Sequence, residues 1–186
     1  MINSLSRVLI ILLLPAIVAG CASTPTATMD YDPAFDFSGV QRIAILPVNR
    51  NVSPVTALSD MQVARMNQSI SDELLRRGYS TTDDFEAADV FLTWHLVTQE
   101  VTDIRTYNTM SARYTRCWQC SPGTSQNVRV RQFTQGTLIV DLIDPERQIS
   151  VWRSILESRM RDHSPEEAAE ARRIAVEAIF DGFPPN

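Results

Sequence analysis

The chain has 186 residues, of which 44% are hydrophobic and 21% charged, a composition that supports one packed domain of ordinary size and excludes a disordered or fibrous chain. Its 17 basic residues stand against 22 acidic ones, for a formal net charge of -5, which argues against a nucleic-acid partner, because such binding rests on many phosphate-neutralising cations. All 17 cations are arginines, so Schiff-base chemistry and lysine-dependent phosphate loops are excluded.

Residues 1–20 read as a signal peptide. Arg7 supplies the positive start, Val8 to Val18 form an apolar run interrupted by Pro15, and the small residues Ala19 and Gly20 precede Cys21. That run is about half of the roughly 20 apolar residues a membrane-spanning helix needs. Val18-Ala19-Gly20-Cys21 resembles the lipobox of bacterial lipoproteins. The resemblance implies a diacylglycerol on the Cys21 sulfur, cleavage before that residue, and an acyl chain such as palmitate on the new amino group. Two or more chains make such attachment stable. Ala22 stands where enteric bacteria tend to place Asp in inner-membrane lipoproteins, so the outer membrane, facing the periplasm, is the expected address. Residues 21–30 are rich in Ser, Thr, Ala and Pro and predict a flexible tether. A single domain is expected over residues 31–186.

Within that domain, Val40 to Val48 is apolar on both parities and predicts a central strand. Val63, Met66, Ile70 and Leu74 recur at helical spacing, with Ser59 and Gln62 forming a capping box and Gly78 as the stop. From Val90 the alternation of Val90, Leu92, Trp94 and Leu96 predicts a second strand, parallel to the first across the helical crossover. Residues 103–135 read as a long irregular or extended segment that covers the second face of the sheet, unless a second subunit does so. Thr137 to Ile143 and Ser150 to Leu156 flank Asp144-Pro145-Glu146-Arg147 and predict a hairpin. Ser164, Pro165 and Glu167 start a last helix, whose Ala168, Ala171, Ala175 and Ala178 form a narrow stripe suited to close packing on a sheet, and Gly182 ends it. The expected architecture is α+β: a mixed sheet of four to five strands with two helices mainly on one face, in the order β-α-β-β-β-α.

Tyr31-Asp32-Pro33 with Phe35-Asp36-Phe37, the run Gly136 to Asp144 followed by Val151-Trp152-Arg153, and Ile179-Phe180 with Phe183-Pro184-Pro185 resemble the family called domain of unknown function 4136 over roughly Tyr31 to Pro185. The resemblance implies an envelope lipoprotein and transfers no catalytic residue.

Two features outside those motifs carry candidate chemistry. Cys117-Trp118-Gln119-Cys120 has the spacing of a redox dithiol, half a zinc site or a structural disulfide. An oxidising compartment favours the disulfide between Cys117 and Cys120, and only His95 and His163 are available as further imidazole ligands. Arg105, Arg113, Arg116, Arg129 and Arg131 lie in a stretch without acids from Ile104 to Val140, interleaved with Tyr107, Tyr114 and Trp118. Such a surface suits an anionic lipid, peptidoglycan carboxylates or an acidic envelope protein; the competing reading is a solvated loop or extended hairpin. His95 is expected to be half-buried and satisfied, and Asp141 and Asp144 to serve turns and edges. No catalytic, metal or cofactor motif is present. The sequence therefore predicts a membrane-anchored, noncatalytic binding or structural module without a cofactor. The alternative is an envelope enzyme whose site assembles from distant residues.

Overall fold

The computed structural model describes residues 25–48, 58–110 and 124–185. They form one mixed sheet of six strands in the order β1-β6-β5-β4-β2-β3. The strands are β1 Thr28–Tyr31, β2 Arg42–Ile45, β3 Ser80–Thr81, β4 Val90–Met110, β5 Thr124–Asp144 and β6 Ile149–Arg159. The helices are α1 Asp60–Arg76 and α2 Pro165–Ile179.

Both helices start as their sequences dictate. The Ser59 hydroxyl accepts from the Gln62 backbone N–H while the Gln62 side chain accepts from the Ser59 N–H. Ser164 and Glu167 repeat that reciprocal pairing, with Pro165 where its missing N–H costs nothing. Gly78 at φ 92° and Gly182 at φ 81° supply the left-handed backbone beyond each helix. β2 pairs in parallel with β4, Ile43 lying opposite Val90, as the helical crossover requires. The β5–β6 hairpin turns on Asp144, whose carboxylate accepts from the backbone N–H of Glu146 and Arg147.

The sheet has six strands against the four to five expected. β3 is a two-residue edge beside β2. β1 corrects the boundary of the tether expected over residues 21–30: Thr28 to Tyr31 pair antiparallel with Ile155 to Trp152. Ser, Thr and Ala composition reads as linker, yet Met29 packs against the core and the strand satisfies its backbone on β6.

The core lies between the helices and one sheet face. Ile43, Val90, Leu92, Trp94, Val140, Leu142 and Trp152 contribute from the strands, with Ile70 and Leu74 from α1 and Val176 and Ile179 from α2. On the second face Asp141 is buried and takes bonds from Arg153 Nε at 2.6 Å and Ser150 Oγ at 2.8 Å. Phe85 packs edge-on against Phe91 there. The expected cover from residues 103–135 does not form among the described residues. β4 and β5 instead continue pairing with each other, which satisfies the inward-pointing half of their backbone groups within the ribbon.

Hydrogen bonding holds several carboxyls below the usual carboxylate range. Asp89 accepts from the backbone N–H of Arg42 at 2.7 Å and of Gln41 at 2.9 Å, which lowers its pKa. The Arg147 guanidinium, 2.6 Å away, and two turn N–H groups do the same for Asp144. A carboxyl depressed in the folded state contributes stability above its unfolded pKa and loses it as pH falls through the folded value. The melting temperature is therefore expected to be flat from about pH 7 to about pH 5 and to drop below about pH 4. Asp89→Asn should flatten part of that drop; an unchanged acid limb in thermal melts would remove Asp89 from the account.

Candidate functional site

β6 ends its pairing with β5 at Arg159 opposite Gln135. From Glu100 opposite Thr134 to Met110 opposite Thr124, β4 and β5 run on as a two-stranded arm, roughly 34 Å long at about 3.4 Å per residue. Because directly opposed residues share a face, the register sorts the arm's side chains into two sets. Ile104 lies opposite Val130, and Val128 has the same parity; these three are 63%, 57% and 59% exposed, unusual for aliphatic side chains brought together on one ribbon face. The other parity carries Arg105 opposite Arg129 and Asp103 opposite Arg131. Arg105 donates to Asp103 at 3.1 Å, and all three arginines are exposed. Among the described side chains one side of the arm thus gathers the exposed aliphatics, alongside Glu100, Thr102 and Gln132, and the other gathers the arginines, alongside Asp103, Val101 and Phe133.

Of the candidate arginine surface, Arg105, Arg129 and Arg131 come together in this way. Arg113 and Arg116 lie outside the described residues, as do Cys117 and Cys120 of the candidate disulfide, the lipidation candidate Cys21 and the signal peptide over residues 1–20. His95 is half-buried on the second sheet face, but its Nδ1 has no hydrogen-bond partner among the described residues, which corrects the expectation of a satisfied ring. His163 is exposed just before the Ser164 cap. Asp141 and Asp144 hold Arg153 and Arg147 and serve structure. Among the described residues no cluster of three or more His, Cys, Asp or Glu could hold a metal ion. No helix among them is long and apolar enough to cross a membrane.

At the root of the arm a groove of about 560 Å³ opens on the helix side of the sheet. Trp94, Leu96, Leu138 and Leu156 form its floor; Leu58 just ahead of α1, Met66 from α1 and Ala168, Ala171, Ile174 and Ala175 from α2 form its walls. Pro25, Met160, Arg161, Asp162, His163 and Arg172 ring its mouth. Trp94 is held in place by its indole N–H, which donates to Asn67 Oδ1 at 2.8 Å. Gly136 completes the floor because the Met160 thioether lies where a Cβ would project, 2.6 Å from that position. The N-terminal half of the alanine stripe on α2 therefore does not close onto the sheet as expected. Ala178 is buried in the core and Ala175 packs against it, whereas Ala168 and Ala171 leave room.

The helices meet at their C-terminal ends, and the residues responsible were not evident in the sequence. Glu73, 7% exposed, accepts from both Arg76 and Arg77. Arg77 also donates to the backbone carbonyl oxygens of Glu177 and Phe180 at the end of α2, where partial negative charge collects. Arg77 belongs to the final turn of one helix and caps another a hundred residues away, so only its role beside Gly78 was open to sequence reasoning.

The motif residues at the two chain ends and in β6 converge on one aromatic cluster. Trp152 stacks on Phe180 with ring centroids 5.6 Å apart and planes 5° from parallel. Phe183 meets Trp152, Phe37 and Tyr79, and Phe35 meets Phe37 at 4.8 Å. Asp32 accepts from Ala34 and pairs with Arg147, which fixes the entry of the chain over this cluster. These motif residues therefore close the fold.

The chain is similar to solved structures at low identity. A PDZ domain protein from Parabacteroides distasonis aligns with a TM-score of 0.54 at 11% identity, over 87% of this chain and 36% of that one, so this chain spans little more than a third of that protein's length. The PelC dodecamer subunit from Paraburkholderia phytofirmans aligns at 0.48 and 11% identity, over 83% and 94% of the two chains. A DUF4136 family protein from Bacteroides thetaiotaomicron aligns at 0.46 and 14% identity, over 86% and 94%. No curated protein matches the sequence. The family model of the domain of unknown function DUF4136 matches residues 27–185, and that span takes in the strand β1 missed by the expected boundary, the aromatic cluster and both helices. The chain belongs to the DUF4136 family.

Proposed function

We propose that this chain is a noncatalytic binding module of a Gram-negative cell envelope, anchored through acylated Cys21 to the periplasmic side of the outer membrane, and that its arm is the binding element. The observation that carries the reading is the arm's two-faced character, with exposed Ile104, Val128 and Val130 on one side and Arg105, Arg129 and Arg131 on the other. A two-stranded ribbon that extends beyond its own domain gains nothing for the core. An apolar face and a guanidinium face together suit an anionic surface, whether lipid or an acidic envelope partner.

The test is retention of the purified protein on vesicles containing phosphatidylglycerol, compared with phosphatidylcholine alone. Retention should fall several-fold between about 0.05 and about 0.5 M salt, because exposed charges are screened at those ionic strengths, and should fall similarly when Arg129 and Arg131 are replaced by Gln. Equal retention by the double variant would dismiss the arm as the contact. Cys21→Ala should abolish metabolic palmitate labelling and release the chain from the membrane fraction.

A further inference from the structure

We propose that the groove at the root of the arm is a binding site for a long-chain fatty acid, the hydrocarbon chain lying on the apolar floor and the carboxylate at Arg161 and Arg172. A volume of about 560 Å³ lies within the range of about 300–1,000 Å³ typical of small-ligand pockets. The floor offers an alkyl chain little but carbon, since the Trp94 N–H already donates to Asn67. The void has a local cause. Ile70 and Leu74 of α1 and Ile179 of α2 close the core toward the joined C-terminal ends, whereas α2 presents alanines toward its N-terminal end, where leucines of the same periodicity would seal it.

The mouth supplies the counter-charge. Arg42, Arg76, Arg77, Arg147, Arg153 and Arg173 all pair with carboxylates of the chain. Of the arginines without such a partner among the described residues, Arg159, Arg161 and Arg172 line the groove; Arg159 lies over the Phe133 ring, and the Arg172 Nε is buried without an acceptor. A buried N–H donor that makes no bond is costly, and an anionic ligand head at the mouth would satisfy it. Asp162 is the acidic residue lining the groove, set against the guanidinium groups of Arg159, Arg161 and Arg172, which leaves a net positive charge there. A carboxylate matches guanidinium geometry and can bridge in bidentate fashion. A neutral acylglycerol, such as the chain's own anchor would be, offers no matching charge.

Position supplies the source. Pro25 lines the mouth, and Cys21 is four residues upstream, at most roughly 14 Å of extended chain. The choice of a membrane-derived fatty acid rests on the anchored reading given above, since an acylated Cys21 would hold the mouth beside the bilayer.

The chain carrying Cys21→Ala, freed of lipid and titrated with hexadecanoate, should show saturable one-to-one binding by calorimetry and a shift in tryptophan emission from Trp94. Arg172→Gln and Arg161→Gln should each weaken hexadecanoate about tenfold, the scale of a lost charge-assisted bond, while leaving hexadecan-1-ol unaffected. Ala171→Leu should weaken both ligands by filling the groove. No saturable binding by the parent chain, or equal affinity for the acid and the alcohol, would overturn the proposal without the need for any further variant. If the acylated chain with Cys21 intact excluded hexadecanoate that the Cys21→Ala chain binds, the groove would belong to the anchor and the proposed occupant would be wrong. Because the first titration uses a chain without an anchor, its failure says nothing about acylation, and a chain blank for palmitate would leave the titration standing.

Discussion

Replacing Trp152 by alanine is expected to lower the unfolding free energy by about 3–5 kcal/mol, the range for large aromatic truncations in a core. Trp152 has no exposed surface and contacts the rings of both Phe180 and Phe183. Its removal leaves a cavity between β6 and the end of α2 that Phe180 cannot fill without uncovering Phe183. At about 2–4 °C per kcal/mol for a domain of this size, the melting temperature should fall by roughly 10 °C. Trp152→Phe should recover much of the loss, since it keeps the stacked ring. The Trp152 Nε1 has no hydrogen-bond partner among the described residues, so phenylalanine also removes an unsatisfied donor. A loss below about 1 kcal/mol for alanine in urea titrations would show that the cluster collapses around the site and is not a rigid closure.

The second large effect is expected at the joined helix ends. Arg77→Ala should cost about 3 kcal/mol, because it strips the Glu73 carboxylate of one partner and leaves the final carbonyls of α2 uncapped. Arg76 still reaches Glu73 from an exposed position, which keeps the cost at the lower end for a broken buried pair. Glu73→Leu alone should also destabilise, since it leaves Arg77 without its acid. The double variant Glu73→Leu, Arg77→Leu should cost less than the sum of the single changes by about 1 kcal/mol or more. Additive losses would mean that Arg77 acts on α2 independently of Glu73.

Local chemistry was the part of this fold most legible in the sequence. Ser59, Ser164 and Pro165 announce helix starts through bonds to groups three residues away, and Asp144-Pro145-Glu146-Arg147 announces a turn on the same scale. What was hidden depends on distant partners. Thr28 to Tyr31 carry no strand signal of their own and become a strand because β6 offers an edge to pair with. The arm was left between an irregular and an extended segment because its threonines, glutamines and arginines do not alternate as a buried strand would, and its two faces appear only once Arg105 is set opposite Arg129. The alanines of α2 were read as a surface for close packing. Small side chains serve equally to bring backbones together or to hold them apart from a neighbour that stays fixed, and only the joining of the helices at Arg77 decides between the two.

The strands that make the arm are also the strands that floor the groove, and no turn or break separates the two stretches. From Glu100 to Met110 and from Thr124 to Thr134 there is neither glycine nor proline, and Gly136 at the root is pinned beneath Met160. The pairing ladder therefore runs unbroken from the arm into the core. A load on the arm would pass along that ladder to Trp94 and Leu138, which floor the groove.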